Sequence, residues 1–463
     1  EIYTLSLHDA LRSPDSPIAY SNHTRMYLRK RVWRTLRRMG NLNNYDYVKM
    51  AVGVLLPYTD QDALPTRQTS YYNWETRSYR YTNYDKYASY IPFNHILYGN
   101  STRYTLSPGH NNWRCRPTYK HGDPAPKIRE ESFPKLWENV PVGLLHLLVE
   151  SNCEEVHNFA TKAIEACPEL DIEVLMLLLT RPYQVTAELA FNIVRARYDR
   201  NNPNGQLLLA LANSSFAPAR SQAYRWIDES RHYFTKDINF IFSLITSQQV
   251  ETRSFSRNFL NSVIFTDSVA KDLISQIINY LLSLRVDTSN SNLAIEIKDI
   301  TDILFKKFAY ALSSLELNIV LKLLDHPILE IQEFGGNILL NHQVKSASLQ
   351  EDIIYSLMNS TYESMRAIGI NLLGQLPNDS LLAKESLLLS LCTHNLADVR
   401  STVRPIIGRL ATFNREFGQK LGLTLIDKLL VDEPFAKLHS YIVSLLSSEL
   451  KFILQTLDWE LTL

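Results

Sequence analysis

The residues that decide the fold are Asp398-Val-Arg400 and two earlier stretches of the same character, Met365-Arg366 and Ala219-Arg220. In each, an apolar or small residue precedes a basic one near the start of a segment whose apolar residues recur at helical spacing. Six such blocks have a small residue three positions further on: Ala160, Ala223, Ser256, Gly335, Gly369 and Ser440. A small side chain lets two helices approach closely, so the block predicts the second helix of a helix hairpin.

The block recurs with a regular period. Its second residue is found at nine positions: His157, Thr186, Arg220, Arg253, Lys298, Gln332, Arg366, Arg400 and Lys437. The steps between them are 29, 34, 33, 45, 34, 34, 34 and 37 residues, and the longest indicates an insertion between Ser268 and Asn292. A period near 34 predicts repeated helix pairs, which must stack because no single pair can bury its own apolar face.

Asp398-Val399-Arg400 resembles the second-helix signature of HEAT repeats, and residues 130–463 are similar to the paired-helix scheme of that family. Tetratricopeptide repeats share the period, but the Trp-Leu-Gly-Tyr pattern of their first helix is missing. We therefore expect an all-α fold. It would be a HEAT-like α-solenoid with an N-terminal extension that is first helical and then irregular and rich in aromatic residues.

Composition excludes several classes of protein. Of the 463 residues, 45% are hydrophobic and 21% charged, which is typical of a folded soluble chain. No apolar stretch approaches the roughly 20 residues that span a bilayer, so we expect no membrane contact. The four cysteines form no CxxC pair, which argues against a disulfide scaffold and favours a cytoplasmic location.

Charge divides the chain into segments of opposite sign. Residues 14–129 contain 18 Lys and Arg against 7 Asp and Glu, a balance of +11, whereas residues 130–463 contain 29 against 39, a balance of −10. We predict basic helices over residues 14–65, an aromatic-rich irregular segment over 66–129 and the repeat array over 130–463. The two halves could attract each other or contact different partners.

Residues 24–39 predict a helix whose apolar stripe is Leu28, Val32, Leu36 and Met39, with Gly40 as the stop signal. The helix has seven basic residues and no acidic one. These candidate polyanion-binding residues are Arg25, Arg29, Lys30, Arg31, Arg34, Arg37 and Arg38. A helix of this kind could bind a nucleic acid, or it could be a solvated face or one docked on the acidic array.

A second helix is expected from Tyr45 to Tyr58, before the aromatic segment. From Tyr71 to Tyr119 there are ten Tyr, two Trp and one Phe, with Arg and Lys between them. Such rings could stack on nucleobases, although a lid whose rings pack on neighbouring helices is the favoured interpretation. His110, Cys115 and His121 are close in sequence, but their spacing fits no standard zinc pattern.

No phosphate-binding, dinucleotide-binding, protease, hydrolase or EF-hand motif occurs, so we expect neither an enzyme nor a cofactor or metal. The leading hypothesis is a non-catalytic scaffold or adaptor that binds a protein partner through its helical-repeat surface. The alternative is a nucleic-acid-binding protein that uses the basic helix 25–38, similar to the HEAT-like alkylpurine DNA glycosylases. That family has a basic concave face, whereas the array here is net acidic.

Five stretches resemble bacterial HEAT-repeat proteins that often carry a WGR domain and are sometimes described as molybdenum-metabolism-regulator-like. They are residues 27–40, Tyr47-Val-Lys-Met-Ala51, residues 90–98, Trp113-Arg-Cys-Arg-Pro117 and Arg181-Pro-Tyr-Gln-Val185. The resemblance covers about residues 20–463. No Trp-Gly-Arg triplet occurs, so a nucleic-acid role implied by that module does not carry over to this chain.

The two ends of the sequence have features that differ from the rest of the chain. Residues 451–463 have an apolar stripe that predicts the first helix of a further, incomplete repeat, or else a capping helix. Residues 1–13 resemble the translation of a common sequencing adaptor. GAG ATC TAC ACT CTT TCC CTA CAC GAC GCT encodes Glu1 to Ala10, and loss of one T from the adaptor's remainder gives CTC CGA TCT for Leu11 to Ser13.

We therefore predict that resequencing of the source locus will not return the codons for residues 1–13. An adaptor has no place in genomic DNA, so the true gene would continue with other codons upstream of Pro14. Amplification across this junction from genomic DNA measures it. Recovery of the same thirteen codons in genomic context would contradict the interpretation.

Overall fold

The computed structural model describes residues 22–119, 122–126, 128–165, 170–285, 292–343, 349 and 351–451. Over these residues the chain forms 24 α-helices and four short β-strands, so it is mostly helical, as predicted. The peptide 1–13 and all of the expected C-terminal helix except Lys451 lie outside this part. Contacts group the chain into two compact units, one ending at Phe234 and one beginning at Thr235.

The first unit begins with two helices, two β-hairpins and the helix between them. These elements are α1 (Asn22–Asn41), α2 (Asp46–Leu55), β1 (Arg67–Asn73), β2 (Ser78–Tyr84), α3 (Ile91–Tyr98), β3 (Tyr104–Leu106) and β4 (Trp113–Cys115). Eight further helices follow: α4 (Pro134–Asn139), α5 (Pro141–Glu150), α6 (Glu154–Ile164), α7 (Ile172–Leu179), α8 (Gln184–Arg197), α9 (Gly205–Ala212), α10 (Ala217–Glu229) and α11 (Arg231–Phe234).

In the second unit the described elements are all helical. They are α12 (Ile238–Ile245), α13 (Val250–Asn261), α14 (Asp267–Ser283), α15 (Leu293–Ser313), α16 (Leu317–Leu324), α17 (Leu329–Leu340), α18 (Glu351–Met358), α19 (Glu363–Gly374), α20 (Asn378–Leu382), α21 (Glu385–Cys392), α22 (Ala397–Phe413), α23 (Arg415–Leu429) and α24 (Leu438–Ser448). Helices α14 and α15 are the longest consecutive pair, where the sequence indicated an insertion.

The segment 66–129 is more regular than predicted. Strands β1 and β2 pair antiparallel over seven residues, from Arg67↔Tyr84 to Asn73↔Ser78, and β3 pairs with β4. Tyrosine and threonine fit a pleated strand well, so their density favours strands over the expected irregular lid. The turn between β1 and β2 ends at Arg77, whose φ of 47° is in the left-handed region.

The N-terminal extension packs closely on the first helix pair, α5 and α6. Helix α2 packs on α5, where a Cβ atom at Gly143 would lie 2.4 Å from Cγ1 of Val48. The Asp60 amide donates to the Asn152 carbonyl (3.0 Å), and the Glu154 amide donates to Oδ1 of Asp60 (2.7 Å). Residues 22–129 therefore belong to the same unit as α5 and α6.

Nine pairs of contacting helices can be recognised in the described residues: α5/α6, α7/α8, α9/α10, α12/α13, α14/α15, α16/α17, α18/α19, α21/α22 and α23/α24. In the second unit the second helix of each pair also contacts the second helix of the next, from α13 to α24. In the first unit α6 contacts α8, and α7 contacts α9. Neighbouring pairs thus bury their apolar faces against each other, as the period requires.

Six of the nine marker residues occupy the fourth position of a second helix and have the same role. Each donates a side-chain hydrogen bond to the backbone carbonyl six positions earlier, in the turn that joins the two helices of the pair. We call these six residues the turn donors: His157, Arg220, Arg253, Gln332, Arg366 and Arg400. The four arginines also reach the carbonyl five positions earlier.

The residue whose carbonyl accepts this hydrogen bond has a second role in each turn. It is serine or histidine in all six turns: Ser151, Ser214, Ser247, His326, Ser360 and His394. Its side chain accepts a hydrogen bond from the amide two positions later, at 3.1 to 3.2 Å, just before the second helix begins. Free amides and carbonyls at helix ends need such partners, so the turn is satisfied on both sides.

Several turn donors also bind the neighbouring pair. Arg253 is 2% exposed, and its Nε lies 2.9 Å from Oδ2 of Asp299 in α15. Arg366 reaches Asp398 in α22 through Nη2 at 2.6 Å, and Nη2 of Arg400 donates to the Ala436 carbonyl (3.0 Å). One guanidinium group therefore stabilises its own turn and also links two successive pairs.

The other three markers are placed differently from the prediction. Thr186 is the third residue of α8 and lies 2.8 Å from Nδ1 of His157. Lys298 is the sixth residue of α15, where the fourth position holds Glu296, and Lys437 precedes α24 in a left-handed conformation. In the pairs α14/α15 and α23/α24, inserted or lengthened segments shift the helix start, so the sequence alignment is two to four residues out of phase with it.

Replacing Arg253 with Met should lower the free energy of unfolding by about 2 to 4 kcal/mol. The change leaves the Ser247 and Gln248 carbonyls and the Asp299 carboxylate without their buried donor. Denaturant unfolding followed by circular dichroism measures it, with Lys271→Met on the exposed surface of α14 as the matched control. Equal stability of the two variants would contradict the role of the turn donor.

Candidate polyanion-binding face

The basic helix predicted from the sequence is α1, and its packing side is apolar. Val32, Trp33 and Leu36 are buried against α2 and α3. Gly40 is not the stop signal that was predicted, because the helix continues to Asn41. A Cβ atom at Gly40 would lie 2.1 Å from Cε2 of Phe133, so this glycine is required for close packing.

The seven candidate cations divide into three groups. Arg25 and Arg29 are half-buried at the packing side, and Lys30 donates from Nζ to the Gly109 carbonyl (3.2 Å). The remaining four are exposed and lie within about 120° of one another around the helix axis, at 100° per residue. We call them the outer face of α1: Arg31, Arg34, Arg37 and Arg38.

The outer face has no compensating carboxylate in the part of the chain that the structure describes. Helix α1 contains no acidic residue, and none of the four guanidinium groups forms an ion pair with any described residue. Arg34 and Arg38 are four positions apart, a spacing at which like charges destabilise a helix by a few tenths of a kcal/mol. Four unpaired cations on one face create a positive potential that attracts anions.

A β-hairpin supports this helix from the side. The loop between β3 and β4 contacts α1 through Gly109, which accepts from Lys30, and through His110, whose ring centroid lies 5.4 Å from that of Trp33. The hairpin has its own small core of Tyr104, Trp113 and Cys115. These contacts fix the position of α1 on rigid elements.

Arg103 ties the hairpin to the rest of the unit. Its guanidinium lies within 6 Å of the ring centroids of Tyr98, Tyr104 and Tyr119, and it is paired with Glu130 at 2.6 Å. The Tyr98 hydroxyl in turn donates to Oε2 of Glu155 in α6, at 2.7 Å. The cation on Arg103 is therefore neutralised and is not part of the outer face.

The cysteine and histidines that were weighed as a metal cluster do not form one in the described residues. Cys115 lies in the hairpin core, where burial raises the pKa of its thiol to about 11. His110 lies beside Trp33 with the two ring planes tilted by 45°, and His121 lies outside the described residues. No group of three or more His, Cys, Asp or Glu in the described part could hold a metal ion, and none of its helices is long and apolar enough to cross a membrane.

The tyrosine-rich segment is only partly the predicted lid. Tyr87, Tyr90 and Tyr104 are buried, as a lid requires. The rings of the β1–β2 hairpin point to solvent instead, and the exposed fractions are 68% for Tyr71, 79% for Trp74, 61% for Tyr79 and 60% for Tyr81. The packing interpretation is therefore wrong for these four rings of the β1–β2 hairpin, because they are exposed.

Neither a scan against protein-family models nor a search of curated proteins returns a match to this chain.

Below α1, His95 is buried beside Trp33, with ring centroids 6.4 Å apart, and burial together with the charge on Arg37 lowers its pKa to about 4. In the unfolded chain this histidine titrates near 6.5. Between pH 6.5 and 4 the unfolded state therefore binds one more proton at His95 than the folded state does. Stability that is fully present above pH 6.5 is lost as the pH falls through this range.

We predict that His95→Leu will reduce the pH dependence of stability between pH 4 and 6.5, by up to about 1.4 kcal/mol per pH unit. Thermal unfolding at a series of pH values measures the slope. His157, whose pKa burial also lowers to about 4, titrates over the same range, so the slope should diminish but not vanish. An unchanged slope in the His95→Leu protein would contradict the burial of a neutral imidazole beneath α1.

Proposed function

We propose that this chain is a non-catalytic helical-repeat scaffold of the HEAT-like type, which binds nucleic acid through the outer face of α1. The scaffold part of the proposal is supported by the turn donors, which recur in six helix pairs with the same hydrogen bond. The packing of second helices on one another supports it too. Repeats that contact only their neighbours form extended surfaces suited to binding other macromolecules.

One observation carries the choice of partner. The outer face of α1 presents four arginines that form no ion pair with any described residue, on a helix that has no acidic residue and is held by a buried apolar side and a supporting hairpin. Arginine is well suited to phosphate because its planar group donates two parallel hydrogen bonds. Each neutralised phosphate also releases condensed counterions, which favours binding at low salt.

The charge distribution along the chain suggests which surface meets the nucleic acid. The repeat segment 130–463 has a balance of −10 and would repel a phosphate backbone, whereas residues 14–129 have a balance of +11. We therefore assign the contact to the N-terminal extension. This differs from the HEAT-like DNA glycosylases, where the repeat surface itself is basic.

A protein partner, favoured by the sequence alone, is the competing hypothesis. The resemblance to bacterial HEAT-repeat proteins supports a cytoplasmic scaffold but does not choose between the two partners. Capture from lysate with and without nuclease treatment separates them. Loss of the captured partner after nuclease treatment supports the proposal. If a protein partner is still captured after the treatment, and the chain itself binds no nucleic acid, the proposal is contradicted.

The proposal predicts salt-sensitive binding of duplex DNA. With four phosphate contacts, affinity should fall on the order of 100-fold between about 50 and 200 mM salt. Charge reversal by Arg34→Glu with Arg38→Glu should weaken binding at low salt. It should also reduce the slope of log affinity against log salt concentration by about 2. Fluorescence anisotropy with a labelled duplex measures both quantities.

The control is a double variant with the same change of net charge in the second unit. Lys271→Glu with Lys322→Glu alters two exposed lysines of the second unit and should leave the slope unchanged. Equal effects of the two double variants would mean that binding depends on net charge alone. That result, or binding that is insensitive to salt, would contradict a phosphate contact at α1.

A further inference from the structure

The β1–β2 hairpin has one side formed largely by aromatic rings. Side chains of directly paired residues in an antiparallel ladder share a side, so Tyr72 and Tyr79 lie together, and Tyr81 lies next to them opposite Ser70. Trp74 follows Tyr72 by two positions. Ring centroids along this side are 4.7 Å apart for Trp74 and Tyr72, 5.1 Å for Tyr72 and Tyr79, and 6.3 Å for Tyr79 and Tyr81.

We call these four residues the aromatic ribbon: Trp74, Tyr72, Tyr79 and Tyr81. Three of them are at least 60% exposed, an unusual amount of ring surface to leave in water. The rings contact one another rather than a core, and the strands that carry them are paired over seven residues. The ribbon is therefore pre-formed, and it presents ring faces to whatever approaches.

The charge of the hairpin indicates which kind of ligand the ribbon binds. Residues 67–84 contain three arginines, Arg67, Arg77 and Arg80, against one carboxylate, that of Glu75. Arg77 and Arg80 are exposed; Arg77 lies in the turn next to the ribbon, whereas Arg80 is paired with Tyr71 on the opposite side of the hairpin. Exposed rings on an element that also carries exposed cations are typical of sequence-tolerant binding to single-stranded nucleic acid, where bases stack on the rings and cations hold the phosphates.

The ribbon and the outer face of α1 are attached to the same support. Strand β2 packs on β4, and the Trp113 amide at the start of β4 donates to the Ala88 carbonyl just after β2 (2.8 Å). The loop before β4 contacts α1 through Gly109 and His110. The outer face of α1 and the aromatic ribbon therefore belong to the same compact unit, so one unit would hold both the phosphates and the bases of a bound nucleic acid.

From this arrangement we infer that the β1–β2 hairpin is a stacking platform for the unpaired bases of single-stranded nucleic acid. The inference rests on the proposed function and refines it. The outer face of α1 supplies contacts to phosphate, which any strand offers, and the aromatic ribbon supplies contacts to bases, which a duplex keeps stacked inside. The chain should therefore prefer single strands to duplexes.

Two probes of equal charge test the inference on the full chain. One is oligothymidylate of about 12 nucleotides, and the other is an abasic strand of the same length, which has the phosphates but no bases. We expect oligothymidylate to bind about tenfold or more tightly than the abasic strand. Tyr79→Ala with Tyr81→Ala should remove most of this difference and leave the abasic strand's affinity unchanged.

Tyr71→Ala is the matched control, because Tyr71 is as exposed as the ribbon residues but lies on the opposite side of the hairpin, paired with Arg80. It should bind oligothymidylate as the unaltered chain does. Circular dichroism confirms that each variant is folded. The removed rings are exposed, so the fold should not depend on them.

Trp74 provides a direct optical signal of stacking. Among the described tryptophans it alone is exposed, since Trp33, Trp113, Trp137 and Trp226 are each no more than 8% exposed. The emission of Trp74, obtained as the difference between the unaltered chain and Trp74→Phe, should be quenched by oligothymidylate and not by the abasic strand. Quenching by both strands or by neither would overturn the inference.

The possible failures are distinguishable. Equal affinity for the two strands, with a steep salt dependence, would overturn base stacking and leave phosphate binding at α1 intact. Absence of binding to either strand and to duplex DNA at low salt would overturn both the inference and the proposed function. Tenfold preference for oligothymidylate that persists in the Tyr79→Ala, Tyr81→Ala protein would place the stacking surface elsewhere and contradict the assignment to the ribbon.

Discussion

The hydrogen bond from a second-helix side chain to the carbonyl six positions earlier is the constraint on which the helix pairs depend. A helix pair leaves the last carbonyls of its first helix and the first amides of its second helix without partners, and burial would make them costly. In six pairs a turn donor satisfies the carbonyl, and a serine or histidine satisfies the amide. Where the donor is Arg253 or Arg366, the same guanidinium also pairs with an aspartate of the next helix pair.

The repeat period was predictable because the turn donor must be a long polar side chain at a fixed place. The sequence showed Arg220, Arg366 and Arg400 as basic residues at that spacing, and the structure explains their role. The accompanying Ser or His six residues earlier, as in Ser360 and His394, was present in the sequence but not recognised, because a small polar residue in a turn is common. Lys298 and Lys437 were misplaced because lengthened segments shift the helix start.

The N-terminal extension was less predictable for physical reasons. Glycine commonly ends a helix, so Gly40 was predicted to be a stop signal. Only the position of Phe133, far away in sequence, shows that Gly40 is a packing contact. Dense tyrosine is compatible with a buried lid or with exposed strands, and the cross-strand register of Tyr72 with Tyr79 decides between them. The seven basic residues of α1 were identified from the sequence, but their division into packed and exposed groups needed the surrounding elements.

Exposure and charge together distinguish the N-terminal extension from the repeats. The turn donors of the helix pairs use their arginines internally, in turns and between neighbouring pairs. The four arginines of the outer face of α1 form no ion pair with any described residue and are exposed to solvent, as are three of the four rings of the aromatic ribbon. A surface that retains unpaired like charges and exposed rings bears a cost in stability, which binding to a polyanion would offset.

Hydrogen exchange of the full chain with and without oligothymidylate tests this account most directly, because it reports where the ligand lies without altering any residue. Binding as described predicts slower amide exchange in residues 30–38 of α1 and in residues 70–81 of the β1–β2 hairpin, with the helix pairs of the second unit unchanged. Slower exchange confined to the helix pairs, with none in α1 or the hairpin, would contradict it.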